Sequence, residues 1–547
     1  MRKGLAAIVL FGALAAPAHA ARVAVLVVQP FDPAAYAARG AVGLFVPGSG
    51  ETVTRRAALA ALVRGKVEPS SLGGIPGGRP VIALAGRPGP ITVYVALPPA
   101  GTHANTRRYP IAIVGGDYHG ILVSGSTRIP GLVSIADVAP TARALARGTR
   151  PVIRARADER AAAHLARLDL RLARNYDARL WATLILVGSV LGGALLAVGL
   201  RSRYVARAGL LAAPAVLAAS LALSGLAVTR PSLVVPLLAV LTIGGSLLVA
   251  VPARLLPYAL IALVVVYLVV FSAWPEVNSL AAIGARPDGG GRFYGAGNLV
   301  ETVLLSVSLA AAALLGRRAL PAVLALALVT VGWSKAGADG GGIVVLLAAF
   351  AVLAVRMYDV RLTARRVVAA AGAGGVLIAA IVGLDAATGS SSHVTRALGK
   401  GPVSLAGELG HRIHISAASI GSNWHAAPVF AVSIAALAVL GTRPPRFAAG
   451  DALLAGIAVS LFVNDSPIDV ASAGALSYAV LWAHERLSPP AFPCASSGFA
   501  RGRCGGPRSR GGNHVSPTGP LLSEADSSGN LPVPLGPLPA HRPKVGL

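Results

Sequence analysis

The hydrophobic pattern divides the chain into an N-terminal third with short apolar runs and a remainder with long ones. A helix needs about 20 apolar residues to cross the hydrocarbon of a bilayer. About eleven runs approach this length, although several are short for a full span. They lie at residues 181–200, 207–228, 231–250, 254–274, 298–316, 319–333, 342–356, 367–385, 427–441, 450–464 and 467–484. The pattern therefore predicts an α-helical polytopic membrane domain over residues 181–485.

The N-terminal third has a different periodicity. Short runs rich in β-branched residues and bounded by Gly or Pro predict strands at "RVAVLVV", "GLFVPG", "PVIALAG", "ITVYVAL" and "YPIAIVGG". The segments "TRRAALAALVRG" and "DVAPTARALARG" have helical spacing and end at Gly. Strands alternating with helices predict a small α/β domain over residues 21–150. A charged amphipathic linker helix is predicted over residues 151–180.

The first twenty residues resemble a targeting segment. Arg2 and Lys3 precede an apolar stretch, and small residues at Ala18 and Ala20 end it. This three-part pattern predicts a secretory signal peptide over residues 1–20, cleaved after Ala20. The alternative is an uncleaved first membrane helix, although the apolar stretch is short for one. Both interpretations deliver residues 21–180 to the extracytoplasmic side.

Composition supports the membrane class and orients the chain. The sequence is 54% hydrophobic and 13% charged, with a mean hydropathy of +0.68, whereas soluble domains carry roughly 25% charged residues. A net charge of +27 would suggest a nucleic-acid partner in a soluble protein. In a membrane protein the basic excess belongs on the cytoplasmic side. With residues 21–180 outside, pairs such as Arg317–Arg318 and Arg365–Arg366 fall inside, as expected.

These observations predict a multi-pass protein of the cytoplasmic membrane, with the lipid bilayer as partner and no nucleic acid. Residues 486–547 are rich in Pro, Ser, Gly and Arg without hydrophobic period, so a disordered cytoplasmic tail is expected there. The two cysteines, Cys494 and Cys504, lie in this tail without a surrounding His or Cys pattern. Neither a disulfide framework nor a zinc site is indicated.

The glycine-rich polar segments all face outward on this topology. They are "RPDGGGRFYGAGN" (286–298), "SKAGADGGG" (334–342) and "NDSPID" (464–469). Glycines let backbone approach a ligand closely, but they also simply make turns. The candidate outward-pocket residues are Asp288, Arg292, Asn298, Glu301, Lys335, Asp339, Asn464 and Asp465.

Two interpretations of these charges remain open. A carboxylate at a helix N-terminus can simply cap the helix, whereas an ionisable residue within a bilayer is by default a functional hypothesis. We expect Glu301, Asp339 and Asp465 to converge, with Arg292 as their partner. His411 and His414 share a helical face, which fits a solvated amphipathic helix better than a metal site. No metal is assigned, and the sequence does not identify a cofactor.

At "RFYGAGN", "GADGGG" and "NDSP" the chain resembles an uncharacterised bacterial family of polytopic membrane proteins. Members often carry an extracytoplasmic domain related to the alkaline phosphatase and sulfatase superfamily, and residues 120–145 are similar to the closing segment of such a domain. The resemblance covers most of residues 105–150 and 286–485, and it implies a phosphatase-like N-terminal domain.

The N-terminal domain departs from the phosphatase pattern in its metal ligands. Two-metal phosphoryl transfer needs several Asp and His ligands and a nucleophile. Residues 21–150 offer Asp32, Asp117 and Asp137 with His103 and His119, and Glu51 and Glu68 in no recognisable arrangement. A reduced, non-catalytic domain is therefore expected.

Three functions fit the pattern. In the first, the outward polar site of a bacterial cell-envelope protein handles a lipid-linked or phosphate-bearing envelope component. In the second, the chain is a secondary transporter whose glycine-rich interruptions mark a binding site. In the third, it is a membrane scaffold without chemistry. Whether the protein is an enzyme is not decided by the sequence.

Overall fold

The computed structural model describes residues 23–250, 252–289, 292–361, 363–387, 402–422 and 425–487. The predicted signal peptide and nearly all of the predicted tail lie outside the described residues. The last described helix ends at Leu487, two residues into the segment that was predicted as tail.

The N-terminal region is built on a mixed seven-stranded sheet. The strands of this region are Val23–Val27 (β1), Gly40–Val46 (β2), Thr52–Thr54 (β3), Ile91–Val95 (β4), Thr102–Ala104 (β5), Tyr109–Val114 (β6), Gly120–Ser124 (β7), Leu132–Ser134 (β8) and Ile153–Arg156 (β9). The order is β1-β4-β6-β2-β7-β9, with β8 paired to β2 and with β3 and β5 forming a separate pair. β4 and β6 are antiparallel, and so are β2 and β6, whereas β1 is parallel to β4 and β2 is parallel to β7.

Helices cover both faces of this sheet. The short helices of the region are Pro33–Ala37 (α1), Arg55–Arg64 (α2) and Val138–Ala146 (α3). Along β2, Ala41 and Phe45 pack into the core that contains residues of α2 and α3, whereas Val42 and Leu44 pack on the opposite face. Because side chains alternate along a strand, a strand buried on both faces reads as one continuous apolar run. This confirms an α/β region at the N-terminus.

One long helix joins the sheet to the membrane region. Helix α4 spans Ala161–Leu200, 40 residues, and Leu165, Leu168 and Leu172 pack under the second face of the sheet. The predicted boundaries are corrected here. Residues 153–156 form β9, which pairs with β7, so the α/β region extends beyond residue 150 and the linker helix starts later than residue 151.

The remaining helices are Arg203–Gly225 (α5), Pro231–Ala250 (α6), Leu256–Ala273 (α7), Pro275–Ser279 (α8), Asn298–Leu315 (α9), Leu320–Gly332 (α10), Gly340–Tyr358 (α11), Ala364–Ala387 (α12), Pro402–Ser422 (α13), Ala427–Thr442 (α14), Ala448–Val463 (α15) and Pro467–Leu487 (α16). In the described part of the chain, 6 helical segments are long and apolar enough to cross a membrane: α4, α5, α6, α7 with the turn before it, α9 and α11. Helices α10, α14 and α15 are apolar but shorter. The multi-pass class is supported, whereas the predicted number of about eleven spans is not confirmed.

One predicted strand is absent. The segment "PVIALAG", residues 80–86, forms bends instead, with Val81 and Leu84 exposed. It makes one backbone bond to β1, from Ala85 N to Val25 O at 2.9 Å, while Val81 N donates to the end of α2 at Val63 O. A β-branched run is a strand only where it forms a ladder of backbone bonds, and a single bond to the edge strand β1 does not form one.

Candidate functional site

A polar cluster lies where the N-termini of α9 and α11 meet the connection between α15 and α16. Its residues are Arg292, Glu301, Asp339, Asn464 and Asp465. Glu301, in the first turn of α9, is 2% exposed. Its Oε2 accepts a hydrogen bond from Asn464 Nδ2 at 3.0 Å, and the same amide donates to Ser460 Oγ at 2.7 Å. Helix α9 is capped at Gly297 without a side-chain hydrogen bond. Glu301 is therefore not an N-cap residue: its carboxylate bonds to a different helix.

Asp339 combines the two roles that the sequence left open. It is the N-cap of α11, and its Oδ1 accepts hydrogen bonds from Gly341 N at 3.0 Å and Gly342 N at 3.2 Å. Its Oδ2 lies 2.9 Å from Arg292 Nη1, in the geometry of an ion pair rather than of a well-aligned hydrogen bond. Capping explains one oxygen of Asp339, and the ion pair to Arg292 explains the other.

The glycine run at the start of α11 permits this packing. A Cβ on Gly342 would lie 3.1 Å from Glu301 Cδ and 3.2 Å from Glu301 Oε1, and it would also collide with Val331. A Cβ on Gly341 would lie 2.6 Å from Asn464 Oδ1. The start of α11 is thus pressed against Glu301 and Asn464, an approach that a larger residue would prevent.

Arg292 is the cation of the cluster. Its Nη1 also donates to Ala296 O within its own loop, and its side chain is 33% exposed. Burial of the guanidinium opposes its charge, but Asp339, Asp465 and Glu301 together outweigh that effect and raise the pKa of Arg292. All three carboxylates therefore stabilise the charge of Arg292.

The outer margin of the cluster is more exposed than its interior. Asn298 Nδ2 donates to Asp465 Oδ1 at 2.9 Å, and Asp465 is exposed. Glu301, Asp339 and Asn464 are each 2% exposed. The cluster thus has an exposed carboxylate at its margin and buried carboxylates in its interior.

Two predicted members do not join the cluster. Asp288 is buried, but it forms a bidentate ion pair with Arg179 of α4. Arg179 Nη1 lies 2.7 Å from Asp288 Oδ2, and Arg179 Nη2 lies 2.8 Å from Asp288 Oδ1. Lys335 is exposed, and its carbonyl accepts from Arg128 at 3.2 Å. Sequence proximity within a glycine-rich loop does not determine side-chain direction, because each turn reverses the chain.

Two residues that support the cluster, and one that anchors the loop of Arg292, were not singled out in the sequence. Ser460 lies one helical turn before Asn464, a spacing that places both on one face of α15 and could have indicated the contact. Ser416 of α13 donates to Asn464 O at 2.6 Å, and Arg179 of α4 holds Asp288. No local signal pointed to Ser416 or Arg179, because their partners are distant in sequence.

The segment 286–298 connects three parts of the molecule. Asp288 binds α4, as described above. Gly289 O accepts from the side-chain amide of Asn105 at 2.9 Å and from Gly50 N at 3.2 Å, both in the α/β region. Arg292 pairs with Asp339. The segment is therefore more than a turn between helices, and the polar cluster lies on the side of the membrane helices that contacts the α/β region.

Residues 120–145 contain a local hydrogen-bond group. Ser124 Oγ donates to Asp137 Oδ2 at 2.7 Å, and Ser126 Oγ donates to the same oxygen. Burial raises the pKa of Asp137, and the two hydroxyls partly oppose that shift. These bonds link the turn after β7 to the start of α3. Asp117 and His119, in contrast, are exposed.

The described residues contain no group of three or more His, Cys, Asp or Glu that could hold a metal ion. His411 and His414 are exposed on α13, while the side chain of Glu408 lies outside the described residues. Comparison with known protein families, with curated proteins and with solved structures found no match to the chain.

Proposed function

We propose that this multi-pass membrane protein belongs to the bacterial cell envelope, where its polar cluster handles a lipid-linked or phosphate-bearing envelope component. The observation that carries the proposal is the buried cluster itself. Glu301 and Asn464 bond across two helices, and Asp339 pairs with Arg292 beside them. If the α/β region is extracytoplasmic, as the N-terminal sequence predicts, the cluster lies on the outer side.

Stability alone does not account for such a cluster. Burying a carboxylate is costly unless it is paired and hydrogen-bonded, and well-packed apolar residues would often stabilise a buried site equally well. Ionisable groups at membrane depth are therefore functional by default. Glu301 fits this argument best, because it is buried within a candidate span and does not cap its helix.

The chemistry of the cluster suggests a division of roles. Arg292 is partly exposed, and a planar guanidinium can bind phosphate oxygens through paired donors. Glu301 and Asp339 would act as an acid–base pair or as ligands for a small cation. Because Asp339 already pairs with Arg292, a phosphate group that binds Arg292 would enter together with a proton or a cation, which keeps the charge balanced.

The buried carboxylates of Glu301 and Asp339 also favour a second candidate, a cation-coupled secondary transporter. Buried carboxylates that exchange a proton or cation are the usual coupling sites of carriers. The glycine-rich interruptions before α9 and α11 fit discontinuous helices around such a site. A scaffold without chemistry is the remaining alternative, and it predicts that charge-neutral variants of the cluster keep full function.

Complementation of a deletion strain tests these proposals. Glu301→Gln, Asp339→Asn and Arg292→Gln should insert into the membrane and fail to complement even when their expression is raised to give wild-type levels there. The matched control is Asp451→Asn, because Asp451 pairs with Arg356 at the opposite ends of the same two helices, α15 and α11. It should complement normally.

The phenotype of the deletion strain separates the candidates. A lipid-linked intermediate that accumulates in extracted envelope lipids supports the first function. Loss of a solute uptake activity with unchanged envelope lipids supports the transporter. Full complementation by all three cluster variants at normal expression would contradict both and leave the scaffold.

A further inference from the structure

We infer that Arg128 of the α/β region is a positioning residue for the polar cluster, an inference that rests on the function proposed above. Arg128 lies in the turn between β7 and β8, where its backbone is left-handed with a φ of 55°. Such a φ is uncommon for a residue with a side chain. A glycine would adopt it without strain, so the arginine indicates a role for the side chain.

The guanidinium of Arg128 contacts two loops of the membrane region at once. Its Nη2 donates to Ser334 O at 2.7 Å and its Nη1 donates to Lys335 O at 3.2 Å. Its Cζ lies 3.8 Å from the centroid of the Tyr294 ring, which is the distance of a close cation–π contact. One side chain of the α/β region thus joins both loops.

These two loops carry the ion pair of the cluster. Tyr294 follows Arg292 by two positions, and Ser334 and Lys335 precede Asp339 in the other loop. The loops also bond directly, through Ala296 N to Gly337 O at 3.0 Å. The Arg292–Asp339 distance of 2.9 Å therefore depends on how these loops are held together, and Arg128 holds them from the side of the α/β region.

The chemistry of the contact requires an arginine. The carbonyls of Ser334 and Lys335 follow the C-terminus of α10, where the helix dipole attracts a cation. A planar guanidinium can donate to two carbonyls and stack on a ring together, whereas a lysine ammonium offers a point charge on a flexible stem. We therefore expect Arg128→Lys to be a poor substitute, although it preserves the charge.

The α/β region has other attachments, so the loss of Arg128 should act locally. Asn105 bonds to Gly289 at 2.9 Å, and α4 packs under the sheet through Leu165, Leu168 and Leu172. Without Arg128 the α/β region should stay in place while the two loops gain freedom. The contacts of Arg128 therefore affect the geometry of the polar cluster more than the attachment of the α/β region.

Thiol reactivity measures how firmly Arg128 holds the two loops, and it needs no knowledge of the substrate. Ser334 is 3% exposed, and Ser334→Cys is nearly isosteric. We would make this change in the full-length protein with Cys494→Ser and Cys504→Ser, purify it in detergent and measure the rate of maleimide labelling. Arg128→Ala should raise that rate about tenfold, the scale of losing a charge-assisted hydrogen bond.

Variants of Arg128 and Tyr294 distinguish a specific effect on the two loops from a general destabilisation of the protein. Tyr294→Ala should raise the labelling rate, whereas Tyr294→Phe keeps the ring and should not. Because Tyr294 acts through its contact with Arg128, Arg128→Ala combined with Tyr294→Ala should exceed Arg128→Ala alone only slightly. The matched control is Arg55→Ala, since Arg55 donates to a carbonyl within the α/β region, Pro98 O at 3.2 Å.

Complementation, measured without the cysteine changes, completes the test. Arg128→Ala should raise labelling and lose complementation, and Tyr294→Phe should preserve both wild-type properties. Unchanged labelling in Arg128→Ala, or increased labelling with full complementation, would overturn the inference. If the proposed function itself is wrong, a different result is expected. Arg292→Gln and Asp339→Asn would then complement the deletion strain, independently of the labelling rates.

Discussion

Removal of the Arg292 guanidinium should destabilise the protein, because the buried Asp339 carboxylate then loses its cation. Asp339 is 2% exposed, whereas the side chain of Arg292 is 33% exposed. Breaking a fully buried ion pair costs roughly 3–5 kcal/mol, and an exposed pair contributes at most about 1 kcal/mol. With one partner buried and the other partly hydrated, we expect Arg292→Gln to lower the free energy of unfolding by about 2 kcal/mol.

A second substitution should recover part of this loss. Asp339→Asn removes the unpaired charge but keeps an oxygen that can accept from the amides of Gly341 and Gly342. The double variant, Arg292→Gln with Asp339→Asn, should therefore be more stable than Arg292→Gln alone by about 1 kcal/mol. Recovery stays partial because Glu301 and Asp465 also favour the charge of Arg292.

Titration of the purified protein with a denaturing detergent in mixed micelles measures these differences at constant pH. The matched control is Arg356→Gln, because its partner Asp451 keeps Arg446 at 2.8 Å, so the loss should stay below about 1 kcal/mol. Wild-type stability of Arg292→Gln would refute the argument. A double variant whose loss equals the sum of the single losses would refute it as well.

Three further predictions follow from the fold. In a background without the tail cysteines, a thiol introduced by Lys335→Cys should react with an impermeant reagent from outside the cell, and one introduced by Arg361→Cys should not; the reverse pattern would invert the proposed orientation. The intact protein should show no metal-dependent hydrolysis of an aryl phosphate, and turnover that Asp117→Ala abolishes would contradict the reduced α/β domain. Gly342→Ala should destabilise the protein by about 1–3 kcal/mol through overpacking, measured by the same titration. Gly244→Ala, where a methyl group meets nothing within 4 Å, should be neutral or stabilising, and equal effects of the two changes would argue against the close approach of α11.

Local pattern predicted the secondary structure of most segments. Each predicted apolar run from residue 181 onward coincides with a helix over most of its length, because helix formation in such segments depends on neighbouring residues and on length. The predicted strands that exist, such as β4 and β6, were recognisable from β-branched residues between turn signals. Segment 80–86 has the same local pattern and is not a strand, because it makes one backbone bond to the edge strand β1 and no ladder of bonds.

The candidate site was predictable in part. The sequence indicated that charges at the ends of several helices would converge, and Arg292, Glu301, Asp339, Asn464 and Asp465 lie together in the structure. It did not indicate that Asp339 caps α11 while Glu301 does not cap α9. Capping depends on backbone geometry within one turn, which composition does not specify.

The sequence by itself determined the membrane class, the α/β region before it and the positions of the polar segments, since these follow from hydrophobic periodicity and turn chemistry along a short stretch of chain. Only the tertiary structure decided which polar groups meet. Asp288 pairs with Arg179 and Asn464 bonds to Glu301, contacts between residues more than a hundred positions apart. Such contacts depend on how helices and loops pack in three dimensions, and no local pattern of residues encodes that packing.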